Sequence, residues 1–535
     1  METRQAKRAL DVSRRDLLRI TSGALASVAL WGSGRETAMA APRHPSRGGT
    51  LRFATRGDAS GLDPHRNTFY LVSNPLAATS QGLLDLDLRA EPVPGIATEW
   101  EASKDLRTYT FKLRKGVLFH NGREVDAAAV QWNFQRIKDP NTSHPFMRSA
   151  LGNLNEIEIV DKYTLRCHLA QPSAAFPSDV VYYPCNLIAP DSAEKAHESP
   201  VGCGPFKFVQ WKRFDITELT RFEHYFETDE AGNSLPYLDG IIGRPKKEDQ
   251  VRLTALRTGE VDLIDNMAYT DAASFATRYA GQFQTWNVPV LGTSYVVFNL
   301  NTGPFADKRL RQAAAHAVDR EAVKQAVFYG RGDIATGFYA PASPWYAPGV
   351  RPYPTYDPDK ANFLLRQARA VGTEIVMQSL ASYPYIRQTG EVLQAMWTEA
   401  GFKVTHHIDD SPVLRQRRRD RTFHVEPTSA SYRFDPDGWF SRAILSTSPS
   451  TQMDSGFSNE RADRLIAEAR STADRHKRLE LYAEIESIVN EELPMLYLNH
   501  VTLLEAGAMN LHGYQPAVSG AFSTRGAGLR TAWLA

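Results

Sequence analysis

Thr108-Tyr109-Thr110-Phe111-Lys112-Leu113-Arg114-Lys115-Gly116-Val117 runs into Phe119-His120-Asn121-Gly122 and then Asp126-Ala127-Ala128-Ala129-Val130. Tyr109, Phe111 and Leu113 alternate with polar residues, the period of a strand that buries one face. Gly116 and Gly122 supply turns. Asp126 stands where a carboxylate caps a helix that runs through Trp132 to Ile137. Strand, turn and helix in one short stretch indicate a mixed α/β chain.

The same mixture extends in both directions. Leu51–Ala54 reads as a strand and Ala77–Leu83 as a helix. Ile157–Val160 and Thr164–Leu169 bracket Asp161-Lys162 as a hairpin, and Phe206–Val209 with Ile216–Leu219 makes a second strand pair. Val251–Arg257 is a short helix ended by Gly259, and Val261–Ile264 a strand. Ser294–Asn299 is a strong strand, and Asp307–Tyr329 reads as one long amphipathic helix stopped by Gly330. Helices over Asp359–Ala370, Glu391–Ala400, Arg461–Thr472 and Arg475–Val489 follow, with strands at Phe402–Val404 and Pro494–Leu498. No internal repeat is visible.

The amino terminus has a different texture. Ser13-Arg14-Arg15-Asp16-Leu17-Leu18 precedes the modestly apolar Ile20–Leu30 and the small-x-small site Ala38-Met39-Ala40. A basic segment, an apolar segment and a small-residue site make a secretory signal, and the arginine pair points to the twin-arginine route. The apolar stretch falls short of the roughly 20 residues that span a bilayer core. Residues 1–40 are therefore expected to be removed. No cysteine lies near the cleavage site to carry a lipid anchor, so an unanchored periplasmic protein is expected.

The leader carries seven basic and four acidic residues, so the mature net charge falls from +1 to −2. A near-neutral balance argues against nucleic acid as a partner. Three cysteines are too few for a disulfide scaffold. Cys185 and Cys203 flank an expected surface loop and form the favoured pair if one bridge exists, while Cys167 sits in a strand pattern as a buried thiol. Single, scattered histidines, with His406-His407 standing alone, give no metal-binding spacing. No Gly-x-Ser-x-Gly elbow is present, so neither an enzyme nor a bound cofactor is expected.

Several of these segments, taken in order, carry a resemblance. Gly82-Leu83-Leu84 leads to Pro94-Gly95-Ile96-Ala97 and Trp100. The Tyr109–Gly122 meander follows, then Pro200-Val201-Gly202-Cys203-Gly204-Pro205-Phe206. Phe298-Asn299 leads to Pro304-Phe305-Ala306-Asp307, Arg311-Gln312-Ala313 and Ala317-Val318-Asp319-Arg320, and Asp357-Pro358 opens the next helix. The chain resembles the periplasmic solute-binding proteins of peptide and nickel ABC transporters, solute-binding family 5, over roughly residues 50–505. That resemblance implies a two-lobed Venus-flytrap fold of type II. Residues 41–289 would form lobe I with a small subdomain at about 90–200. Residues 290–504 would form lobe II, and 505–535 would return to lobe I. It also implies a monomer that carries a peptide or other small molecule to a membrane permease. The alternatives are a ligand-presenting sensor or chaperone of the same fold, or a binder of a sugar, an opine or a metal chelate.

The candidate site follows from the same resemblance. In peptide-binding relatives an aspartate a few residues before an Asp-Pro or Glu-Pro pair holds the ligand amine. Here Asp435-Pro436 is the pair, and Tyr432 stands at the matching place. A buried amine needs a paired carboxylate, so this departure counts against an ordinary peptide unless Asp435 or Asp437 turns inward. Tyr432 and Trp439 offer faces for a planar or sugar-like ligand. Arg433 can take a carboxylate or phosphate on two prongs. Tyr383, Tyr385 and Asn74 complete the candidates. Gly202-x-Gly204-Pro205 reads as a turn made by backbone freedom, and Arg311 and Asp319 read as structural.

Overall fold

The alternation at Tyr109, Phe111 and Leu113 is realised as a half-buried strand, and Asp126 accepts a hydrogen bond from the amide of Ala129 at the start of the helix Ala127–Lys138. The computed structural model describes residues 45–66, 78–143, 148, 151–265, 267–348, 350, 354–430, 433–516 and 528–535. Its first strand, β1 (Thr50–Thr55), is followed by the ribbon of β2 (Leu84–Leu86) and β3 (Pro92–Pro94). A four-stranded meander comes next, built from β4 (Ala97–Ala102), β5 (Thr108–Leu113), β6 (Leu154–Asp161) and β7 (Thr164–Leu169) in the order β4-β5-β7-β6. Then come β8 (Phe206–Lys212), β9 (Ile216–Arg221), β10 (Gly240–Pro245) and β11 (Leu263–Ile264). The second part of the chain supplies β12 (Phe283–Phe298), β13 (Glu374–Leu380), β14 (Lys403–Asp409), β15 (Val425–Ala430) and β16 (Met495–Ala508). A last ribbon joins β17 (Leu511–His512) to β18 (Trp533–Leu534).

Ten of these strands form one sheet in the order β14-β13-β15-β12-β16-β11-β1-β10-β9-β8. The order divides at β12 and β16. To one side lie strands from residues 50–264, and to the other strands from residues 374–430. The two central strands are 16 and 14 residues long, far beyond the usual five or six. They pair antiparallel along their length, Phe283 opposite Ala508 at one end and Val297 opposite Met495 at the other. The register shifts twice, between Pro289 and Thr293 and between Ser294 and Tyr295. Past the shift, β12 takes β15 as its second partner, whereas β16 pairs with β11 at its far end. Two strands thus run from one lobe into the other and bend where they cross.

Each lobe has its own apolar interior. One core, around Phe298, Trp397, Val425, Ile485 and Leu496, is drawn from residues 295–498. Another, around Leu51, Ile241, Leu263 and Leu529, joins the early strands to the carboxy-terminal residues. A third fills the meander, and Phe434 from the opposite lobe packs into it.

The structure departs from the sequence reading at several places. Residues 78–83 are not helical. Their carbonyls are taken by other segments: Ala78 accepts from the amide of Phe206, Thr79 from Gly204 and Gln81 from Leu187. A helix would need those groups for itself. The long helix over Asp307–Tyr329 is two helices, Lys308–His316 and Arg320–Phe328, because Asp319 caps the second through the amide of Ala322. Gly202 and Gly204 are not at positive φ. A Cβ on Gly202 would lie 2.0 Å from the Thr79 carbonyl oxygen, and one on Gly204 2.4 Å from that of Ala78. Close backbone approach, not turn freedom, requires glycine there. Cys185 and Cys203 are unbridged and, like Cys167, buried. Cys185 Sγ lies 3.6 Å from the Asp179 carbonyl oxygen and Cys203 Sγ 3.8 Å from that of Gln81.

Candidate functional site

The segment after β15 turns sharply at Asp435-Pro436. Both Asp435 oxygens are held by Arg478, at 2.6 and 2.8 Å, and the amide of Asp437 donates to Asp435 Oδ1 at 3.0 Å. Acid and guanidinium are both almost fully enclosed, at 5% exposure each. Separating such a pair costs about 3–5 kcal/mol, so a ligand reaching Asp435 would have to displace Arg478. Pro436 then starts the helix Asp437–Ala443, where Asp437 holds Ser441 and Arg470. Trp439, on the same helix, is 2% exposed and stacks on Phe338 with centroids 3.9 Å apart. It lies in the interior of its lobe.

Arg433 is half-buried at the edge of this turn. Its guanidinium, together with the backbone of Phe434, hydrogen-bonds the hydroxyl of Tyr182, whose pKa burial pushes up to about 12. Tyr182 belongs to the meander side, and its ring packs against Phe434 at 4.8 Å. Arg433 therefore stands where the two halves of the molecule meet. Other contacts cross at the same place. Ala174 donates its amide to the Arg470 carbonyl at 2.9 Å, and Arg475 Nη1 reaches Glu91 Oε2 at 2.9 Å. Asp179, half-buried beside Asp437 and Asp435, has its carboxyl driven well above the usual range by burial and by those two charges.

Tyr383 and Tyr385 are half-buried at the start of the helix Pro384–Glu399, their rings 6.0 Å apart and edge to face. The Tyr385 hydroxyl is 2.7 Å from Ser429 Oγ on β15. Phe328 lies between Tyr385 at 6.0 Å and Tyr269 at 5.6 Å, and the Tyr269 hydroxyl donates to the Thr502 carbonyl on β16. Arg56, at the end of β1, sits within electrostatic reach of both Tyr385 and Asp265. Burial raises the Asp265 carboxyl to about 6, and its Oδ1 has no hydrogen-bond partner among the described residues. Tyr383, Tyr385, Tyr269 and Arg56 thus gather beside β15 and β16. Tyr432 and Asn74 lie outside the described residues.

Sequence reasoning passed over Tyr182, Arg56, Tyr269, Asp265 and Asp179. None falls in a motif, and each is brought to the junction by long-range topology. No group of three or more metal-binding side chains occurs among the described residues.

Two lobes, a pair of long strands between them and polar groups gathered at their junction define a protein that encloses a solute. The model of the bacterial extracellular solute-binding proteins, family 5, matches residues 91–452, and the chain belongs to that family. It is a binding protein and not an enzyme. It is similar to the dipeptide-binding protein of Escherichia coli K12, 27% identical over 509 residues covering 87% of this chain and 92% of that one. It is also similar to the glutathione-binding protein GsiB of Salmonella paratyphi A, 28% identical over 466 residues, covering 85% and 89%. Among solved structures, the substrate-binding protein CtaP of Listeria monocytogenes superposes with a TM-score of 0.79 at 23% identity, over 91% of this chain and 100% of that one.

Proposed function

We propose that this protein is the periplasmic capture component of an ABC importer, closing its two lobes on a peptide-sized organic solute and handing it to a membrane permease. The observation that carries this reading is the β12–β16 pair, which joins two separately cored lobes and gathers Tyr385, Tyr269 and Arg56 beside the crossing. Relatives named for a dipeptide and for glutathione support a small peptide or peptide-like ligand. Tyr432 in place of an amine-binding aspartate favours a ligand held by other means than its α-amine.

Lobe I is assigned to residues 41–289 with 505–535, including the small subdomain at about 90–200, and lobe II to 290–504. The leader at Arg14-Arg15 is assigned to the twin-arginine route. Replacing both arginines with lysine is expected to leave the protein in the cytoplasm; export at the normal level would refute that route.

Mass spectrometry of solute released from gently purified protein, followed by calorimetry, tests the main reading. A single solute of peptide size, bound one to one, is the expected result. Consistent recovery of a sugar or a metal chelate would reassign the ligand class. Absence of any bound or titratable solute would count against capture itself.

A further inference from the structure

Residues 331–346 touch both the strand crossing and the lobe junction. At the crossing, Thr293 and His500 are the first pair formed after the register of β12 and β16 breaks at Pro289. Thr293 is fully buried, and its hydroxyl donates to the Phe338 carbonyl at 2.6 Å. A hydroxyl has one proton to give. The 3.0 Å contact of Thr293 Oγ1 with His500 Nδ1 is therefore made by an imidazole N–H. The same segment also pairs with β16, through an antiparallel bridge of Ile334 to Asn499. The amide of His500 donates to the Asp333 carbonyl at 2.8 Å, and that of Ala335 to the Leu498 carbonyl at 3.1 Å.

The other end of the segment is at the junction. The Trp345 indole N–H donates to the Phe434 carbonyl at 2.9 Å. Arg475 and Arg478 each stand 4.9 Å from the Trp345 ring centre, and Arg475 Nη2 donates to the Pro344 carbonyl at 3.3 Å. Phe434 and Arg475 are themselves the groups that meet the opposite lobe, at Tyr182 and Glu91. Between the two ends, Phe338 stacks on Trp439 at 3.9 Å. The Phe338 amide donates to Glu486 Oε1 at 2.8 Å, on the helix Arg475–Glu492. Moving Phe338 would break a ring stack and a buried hydrogen bond together, so the middle of the segment is a stiff link.

We infer that residues 331–346 are a strap that couples the bend of the crossing strands to contact between the lobes. The coupling holds whatever the solute. Parting the lobes takes Tyr182 from Phe434 and Glu91 from Arg475, the two residues that hold the Trp345 end. The loosened strap then releases Phe338, and with it the clamp on Thr293 and His500. Packed elements switch between discrete arrangements rather than deforming continuously. Coupling of this kind is reciprocal, so loosening the crossing must also loosen the junction.

The test is amide hydrogen exchange of the mature protein without added solute, read by mass spectrometry. Peptides covering residues 331–335 and 496–502 report on the crossing, 433–440 on the junction, and 240–245 on the first lobe as a reference. Trp345→Phe keeps a ring between the two arginines and deletes the N–H to Phe434. The hydrogen bond and ring contacts of Trp345 at residues 434, 475, 478 and 482 lie outside both crossing peptides. One hydrogen bond shifts a local opening equilibrium about 2- to 10-fold, so exchange in 331–335 and 496–502 should rise by about that factor. The reference peptide should be unchanged. Thr293→Val deletes the hydroxyl at the crossing and should in turn speed exchange in 433–440. Independent sites would multiply their effects, whereas the double variant should fall short of that product. If Trp345→Phe leaves both crossing peptides at the parent rate, the strap is refuted. If Thr293→Val leaves 433–440 at the parent rate, or the two effects multiply, it is likewise refuted. An equal rise in 240–245 would mean a general loss of stability and would also overturn it. The capture reading stands in each of these cases, because its own test is the recovery of a solute.

Discussion

Single buried acids make this protein sensitive to pH. Glu505, on β16, is 5% exposed, and the Tyr514 hydroxyl donates to its Oε2 at 2.6 Å. Burial pushes its carboxyl up to about 8. A folded-state pKa above the unfolded value favours the fold while the group is protonated. That stabilisation is complete below the ordinary glutamate range and is lost as pH rises through about 8. Glu486, raised to about 7 by burial, acts in the same direction. Below about pH 6.5 the buried His65, His120 and His500, each lowered to about 4 by burial, act in the opposite direction, so the melting temperature should fall between about pH 6.5 and pH 8.5. Glu505→Gln keeps an acceptor for Tyr514 and removes the titration, so its melting curve should fall less steeply over that window. Identical slopes for the two proteins would show that Glu505 does not titrate there. Nothing in the local sequence Leu503-Leu504-Glu505-Ala506 reveals this, because the enclosure comes from Tyr514 and from strands remote in the chain.

At the scale of elements, the sequence was most legible where periodicity or a cap acts locally. β5, the helix after Asp126 and the hairpin of β6 and β7 follow from alternation, an N-cap and a short acidic turn. The reading failed where partners come from afar. Residues 78–83 carry helix-forming alanine and leucine, but their carbonyls are claimed by residues 187–206. β12 was legible only from Ser294 onward. Its first part is held by pairing with β16, a neighbour more than two hundred residues later in the chain. The Gly202 and Gly204 motif was visible, but its reason was not. Since a methyl group on Gly202 would meet the Thr79 carbonyl at 2.0 Å, Gly202→Ala should force the two segments apart. A loss of about 1–3 kcal/mol in denaturant unfolding is expected, the range of overpacking. A surface glycine such as Gly116, with no atoms near its Cβ position, serves as the control, although its positive φ gives it a smaller penalty of its own.

At the scale of the whole molecule, the contacts between lobes set the balance between open and closed forms. Arg475 reaches across to Glu91, and Phe434 packs into the opposite core. The ion pair is partly exposed, at 46% and 29%, so its contribution is about 1 kcal/mol or less. This pair therefore adds only modestly to closure, beside the packing of Phe434 and the hydrogen bonds of Tyr182 and Ala174 across the junction. Arg475→Ala should raise the radius of gyration of the unliganded protein in small-angle scattering and weaken solute binding less than tenfold. Unchanged scattering in the absence of ligand would mean that the pair does not hold the lobes together. Only a change in texture near residue 290, within the strand β12 that runs between the lobes, could be read from the sequence. At their junction Arg433 could be named from its loop, whereas Tyr182, far earlier in the chain, meets it only after folding.

The three buried thiols bear on timing. A fold that forms no disulfide asks for no oxidant, and none of Cys167, Cys185 or Cys203 waits on an exchange catalyst. The native state is thus equally attainable in the reducing compartment where the chain is synthesised and in the oxidising one where it works. Assembly can be finished before the membrane is crossed.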